Sequence, residues 1–165
     1  MIPFKMNPDS GSRNKKAAVP AQGAAAFKQG ENMINAIMDT QLMIMVNNKV
    51  GTLAEITSVI SASKINLIAI TAHAVENVGH ICFVTENNAE AKKLLKSKKY
   101  DVREEPVVLV TLDHKPGALQ AVTTKIAQAG IDLTLLYGSV EKEGIISRVV
   151  MIAEDNKLLL IAIRS

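Results

Sequence analysis

Two stretches, Asn48-Lys49-Val50-Gly51-Thr52-Leu53 and His114-Lys115-Pro116-Gly117-Ala118-Leu119, decide how the rest of the chain reads. Each has polar residues, then Gly, then Leu. Each stands between a β-rich run and a helical pattern. Before the first, Leu42 to Val46 reads as a buried strand. After it, Leu53, Ile56 and Ile60 recur at helical spacing, with Thr52 as the expected cap. Before the second, Val107 to Leu112 reads as a strand. After it, Leu119, Val122 and Ile126 mark a helix face that ends at Gly130.

The surroundings repeat as well. Gly51, Leu53, Thr57, Ile60, Ile65 and Leu67 meet Gly117, Leu119, Thr123, Ile126, Ile131 and Leu133 at a constant offset of 66, an internal duplication. In the first copy, Ile65 to Ala74 and Gly79 to Thr85 are strands around the hairpin signal Glu76-Asn77-Val78-Gly79. Asn88 to Lys99 is an amphipathic helix, and Tyr100 to Glu105 a closing strand. In the second, Ile131 to Val140 and Ile145 to Ala153 flank Glu141-Lys142-Glu143-Gly144, and Asn156 to Arg164 supplies a short helix. The expected fold class is α+β, an α/β sandwich of two ferredoxin-like βαββαβ repeats with antiparallel sheets. The first covers 40–105 and the second 106–165. No residues remain for the sixth element of the second, so it reads as truncated. Val107 to Leu112 then lacks a neighbour on one side, which invites pairing with another chain or with the first repeat's strand, and a dimer. The expected core is Leu53, Ile56, Ile60, Leu67, Leu94, Leu119, Val122, Ile126 and Leu133.

The two turns, with Ile65-Asn66-Leu67 and Ile131-Asp132-Leu133 after the helices, resemble the ACT domain. Its signature is a polar-x-Pro-Gly-x-Leu turn, a helix and a Gly-Ile-Asn-Ile-like opening of the second strand. The likeness covers about residues 40–153 in two copies and is greatest to stand-alone tandem ACT proteins. It implies binding of a small amino acid at the strand-helix turns, often between modules, and regulation rather than catalysis. By position it implies ligand contacts from Asn48, Val50, Gly51, Thr52, Leu53 and Asn66, and from His114, Pro116, Gly117, Ala118, Leu119 and Asp132. The first copy, with two asparagines, is the expected better site. Val50 stands where Pro is usual. Lys64 stands where Gly is usual, at a position that calls for a left-handed residue.

Composition narrows the class. Hydrophobic residues make up 48% of the 165 residues but aromatics only 3%, so the core is aliphatic. One cysteine, Cys82, allows no internal disulfide and fits a reducing compartment. Neither a membrane-spanning run nor a secretory core is seen, so cytoplasm is expected. The net charge of +3 sits in residues 1–36, where five of the nineteen basic side chains face two of the sixteen acidic ones. The rest holds fourteen of each. That segment, rich in Pro, Gly and Ala, reads as a poorly ordered extension to about residue 39, with a short helix allowed over Lys28 to Met38; it is a linker or an early start codon, the alternative being a basic docking arm.

Other chemistries have weak support. The lysines of Asn88 to Lys99 read as a solvated helix face. A base-stacking RNA surface would need strand aromatics, and only Phe83 is available. His73, His80 and Cys82 lack a fourth ligand and metal spacing. No catalytic residue, cofactor or metal is expected, and neither nucleic acid nor membrane as a partner. The expected partners are a small amino acid, a second copy in a homodimer or higher oligomer, and an amino-acid biosynthetic enzyme. The alternative is a ligand-free assembly subunit with the same fold.

Overall fold

Along the first strand burial alternates with the period of two that a pleated chain imposes. The computed structural model describes residues 34–140 and 146–165. In it Ala36, Leu42 and Ile44 are buried on one side, while Asn35, Ile37 and Met45 are open on the other. This strand, β1, runs Ile34–Asn47. It is followed by α1 (Thr52–Ala62), β2 (Leu67–Val75), β3 (Val78–Thr85), α2 (Asn88–Ser97), β4 (Val102–Asp113), α3 (Ala118–Gln128), β5 (Leu133–Val140), β6 (Ile146–Ala153) and α4 (Asn156–Arg164). All six strands form one antiparallel sheet in the order β2-β3-β1-β4-β6-β5.

Two strands are longer than the sequence reading allowed, and both serve two modules. β1 pairs with β3 only from Leu42 onward, but with β4 along its length from Ile34↔Leu112 to Ile44↔Val102. β4 in turn pairs with β6 only from Val108 onward. The first module is therefore β2, β3, the second half of β1 and the first half of β4. The second is β5, β6, the second half of β4 and the first half of β1. The sixth element that the second repeat lacked is residues 34–40, from the other end of the chain. The second repeat is complete, with the first inserted into it. The unpaired strand expected at Val107 to Leu112 is not there: β4 lies between β1 and β6 and has no open edge there to argue for a dimer. The described part of the possible helix over Lys28 to Met38 is strand, and residues 34–39 belong to the sheet. The rest of the expected extension lies outside the described residues, as does Glu141-Lys142-Glu143-Gly144.

Thr40 pairs with Pro106, which is its own counterpart at the repeat offset, so the pseudo-twofold axis relating the modules passes between them. At this point each strand loses its outer neighbour, and side chains replace it. Asn88 Nδ2 donates to the Thr40 carbonyl while its Oδ1 accepts from the Thr85 N–H at 2.9 Å. Asn156 does the same across the axis, donating to the Pro106 carbonyl at 2.8 Å and accepting from the Ala153 N–H at 2.9 Å. The Asp39 carboxylate accepts from the Thr40 N–H at 2.7 Å, and Pro106 has no N–H to leave unpaired. Further along the same edge, the Arg164 guanidinium donates twice to the Ala36 carbonyl.

All four helices cover one face. Leu42, Ile44, Phe83 and Val102 pack under Ile56, Ile60, Ala91 and Leu95. Ala36, Val108, Val110, Leu112 and Met151 pack under Val122, Ile126, Leu159 and Ile163. Ile56, Ile60, Val122 and Ile126 are core as expected, and Leu133 packs partly buried against the second cluster. Three expected core residues are exposed: Leu53 is 43% exposed, Leu119 40% and Leu67 38%. The leucines at 53 and 119 sit in the first helical turn, each bordering a hollow over the sheet that no side chain of the described residues fills. In α2 Leu95, not Leu94, is the buried leucine.

The opposite face closes on itself. The sheet curls until its edge strands β2 and β5 meet, enclosing Ala69, Val84, Val107, Leu109, Tyr137, Val150 and Ile152. One polar chain crosses this inner cluster. Tyr137 Oη donates to Gln41 Oε1 at 2.7 Å, and Gln41 Nε2 donates to Glu105 Oε2 at 2.8 Å. Gln41 is fully buried. Burial first, and then the Cys82 and Glu105 side chains, push the Tyr137 hydroxyl well above the ordinary tyrosine range.

Candidate functional site

Both marked turns are built around a left-handed glycine. Gly51 has φ 93° and Gly117 φ 86°, and a Cβ at either would meet nothing within 4 Å. Glycine is required there by the backbone, not by lack of room. The Thr52 N–H donates to the Lys49 carbonyl at 3.3 Å, and the Ala118 N–H to the Lys115 carbonyl at 3.2 Å. Val50 in place of proline leaves the shape unchanged. The expected Thr52 cap is not formed: Gly51 is the N-cap residue, and no side chain caps either helix. The next N–H groups, of Leu53 and Ala54 and of Leu119 and Gln120, have no acceptor within the helix.

Beside each turn, on the helix face of the sheet, lies a cavity. The first, of about 220 Å³, is lined by Val46, Asn47, Asn48, Lys49, Thr52, Leu53, Ala72, His73, Ala74, Gly79 and Ile81. The second, of about 300 Å³, is lined by Leu112, His114, Lys115, Leu119, Leu136, Gly138, Ser147 and Val149. Asn48 and His114, Lys49 and Lys115, Leu53 and Leu119 occupy the same places in the two linings. In the second, His114 Nδ1 lies 3.3 Å from Ser147 Oγ, and Lys115 Nζ lies 3.3 Å from Asp113 Oδ2. Of the residues singled out in the sequence, Asn48, Thr52 and Leu53 line the first cavity, and His114 and Leu119 the second. Val50, Gly51, Pro116, Gly117 and Ala118 shape the turns without lining a cavity.

Asn66 and Asp132 are elsewhere. Asn47 and Val75 both register with Val78 at one end of the first module, whereas Leu67 registers with Thr85 at the other. Asn66, one residue before β2, is thus a strand's length from Asn48. Its amide donates to Glu86 Oε2 at 3.1 Å, and it borders a separate hollow with Thr57, Ser61 and Lys64. Asp132 stands in the same relation to His114, in a hollow with Glu154 and Asp155. The chain does not bring either residue to its own turn. Sequence reasoning also missed Ser147 and the two lysines, while His73 borders the first cavity only through its backbone, its ring lying on the other face of the sheet. The lysines carried a signal, the same residue type at the same offset within both motifs. Ser147 had none, because only strand register brings it to the turn.

The His73 and His80 rings stack, with centroids 5.1 Å apart and planes 7° from parallel. Cys82 is buried, and burial followed by the Glu105 carboxylate pushes its thiol up. Among the described residues no three His, Cys, Asp or Glu side chains are grouped to hold a metal, and no helix is long and apolar enough to cross a membrane.

A family model described as "ACT domain pair" matches residues 37–162. Among solved structures, protein BT0572 from Bacteroides thetaiotaomicron is similar at TM-score 0.70 and 25% identity, over 78% of this chain and 88% of that one. The ligand-free regulatory subunit of aspartate kinase from Thermus thermophilus is similar at TM-score 0.56 and 13% identity, over 78% and 94%. The aspartokinase alpha and beta subunits give TM-score 0.54 and 15% identity, over 78% and 92%. No curated protein sequence matches.

Proposed function

The chain belongs to the ACT domain pair family, and from that premise we propose that it binds a small amino acid at its strand-helix turns and acts as a regulatory subunit, alone or on a metabolic enzyme. The observation that carries this reading is the duplicated cavity. Two turns of the same backbone shape each border a hollow with a lysine, a leucine and a polar residue in matching places. A helix start with unpaired N–H groups suits a carboxylate. The aspartate kinase regulatory subunit and the aspartokinase subunits share the fold, which supports an amino-acid biosynthetic enzyme as the partner regulated.

Association is part of the proposal, on grounds other than an open strand. Asn66 and Asp132 can join a turn site only if a second copy supplies them, and Leu53, Leu119 and Leu136 leave apolar surface beside the cavities. A thermal-stability screen of the full chain against the twenty amino acids tests the reading. At about 100 times its Kd a ligand should add about 2.7 kcal/mol. A flat profile across all twenty would overturn it in favour of the ligand-free assembly subunit.

A further inference from the structure

The two cavities have the same construction but not the same electrostatics. Neither lining contains an aspartate or a glutamate. In the second, Lys115 is drawn to Asp113, and His114 is engaged with Ser147, so both polar groups already have partners. In the first, Lys49 is exposed and has no ion-pair partner among the described residues, and the His73 ring, stacked on His80, faces away from the cavity. The nearest acids in sequence are turned to other tasks or lie outside the lining. Glu55 accepts from Tyr100 Oη at 3.2 Å, and Glu76 is exposed at the hairpin tip. The remaining polar side chains, Asn47, Asn48 and Thr52, are neutral.

A zwitterionic ligand with one carboxylate would meet this lining poorly. Its carboxylate has a choice of Lys49 and the helix start, while its ammonium finds only amide and hydroxyl oxygens. A second carboxylate would let the ligand satisfy Lys49 and the helix start at once, and charge-assisted bonds of this kind are about twice as strong as neutral ones. The volume, below the roughly 300–1,000 Å³ of drug-sized sites, limits the ligand to a short carbon chain. We infer that the first cavity, taken as a ligand site in line with the function proposed above, selects a small dicarboxylate. Acidic amino acids and their counterparts without an amino group share this chemistry.

Calorimetric titration of the full chain separates the possibilities. The probes are aspartate, glutamate, asparagine, glutamine and lysine, with succinate and 2-oxoglutarate as dicarboxylates without an ammonium. Aspartate or glutamate should bind at least tenfold more tightly than the corresponding amide. Lys49→Met should remove most of that advantage and Lys115→Met little of it, both with an unchanged circular dichroism spectrum. An amide or lysine binding as tightly as the acids would overturn the dicarboxylate inference and leave the amino-acid reading standing. Succinate or 2-oxoglutarate binding with no response to any amino acid would do the reverse. Silence to all seven probes would overturn the dicarboxylate inference, whereas the amino-acid reading falls only with a flat profile across all twenty. Equal losses in the two lysine variants would overturn the assignment to the first cavity.

Discussion

Tyr137 is held beneath the sheet by a single bond to a fully buried Gln41, which in turn holds Glu105. Tyr137→Phe should destabilise the fold by about 1–3 kcal/mol, because it leaves the Gln41 carbonyl oxygen buried without a donor. The same side chain makes stability depend on alkaline pH. Its hydroxyl ionises well above the ordinary value of about 10, so the folded state keeps a proton that the unfolded chain gives up. The stabilisation is complete below pH 10 and is lost as pH climbs past it. Urea titrations at pH 7 and above pH 10 should show this loss in the wild type and a smaller one in Tyr137→Phe. Lys64 gives a second residue-scale outcome. It has φ 59° at the end of α1, where the second copy has Gly130 at φ 67°. Lys64→Gly should raise the unfolding free energy by about 0.5–1 kcal/mol, the relief of left-handed strain less the added chain entropy of glycine. A decrease would mean that the left-handed turn is unstrained.

At the scale of elements, what could be read from the sequence depended on how local the cause was. The turns, the helices after them and the left-handed position at Lys64 follow from residues a few places apart, and each was legible. The strand junction was not. Whether Tyr100 to Glu105 and Val107 to Leu112 are two strands or one depends on what lies across from Pro106, and Thr40 is far away in sequence. The candidate site divides the same way. Asn48, Thr52, Leu53, His114 and Leu119 were found from motif position, whereas Ser147 arrives by register alone. The helix faces were right in period but shifted in depth, since Leu53 and Leu119 fall on the inward stripe yet border open hollows over the sheet. Ile56→Ala should therefore destabilise by about 2–5 kcal/mol. Leu53→Ala, at a site 43% exposed, should cost less than about 1.5 kcal/mol and act chiefly on ligand binding. Chemical denaturation of both variants checks this, and equal losses would mean that α1 packs closer to the sheet than described.

For the whole molecule, the two shared strands make the repeats inseparable. A chain beginning at residue 34 should keep the cooperative transition of the full protein. One beginning at residue 41 should lose the second module, because Val107 to Leu112 would have no neighbour on the β1 side and Arg164 no carbonyl at residue 36. Adding residues 34–41 back as a free peptide should restore part of the lost signal. Full stability in the shorter chain would contradict the insertion of one module into the other. The β1–β4 pairing also has a consequence in time. On the ribosome Ile34 emerges 78 residues before its partner Leu112. At roughly 5–20 residues per second the delay is about 4–16 s. The first module has most of its strands by then, but the opening stretch of β1 must wait, an unmatched strand edge in every nascent chain. A chaperone that shields extended apolar segments would find its substrate at Ile34 to Asp39. The wait ends only when β4 has been synthesised far enough to turn back along it.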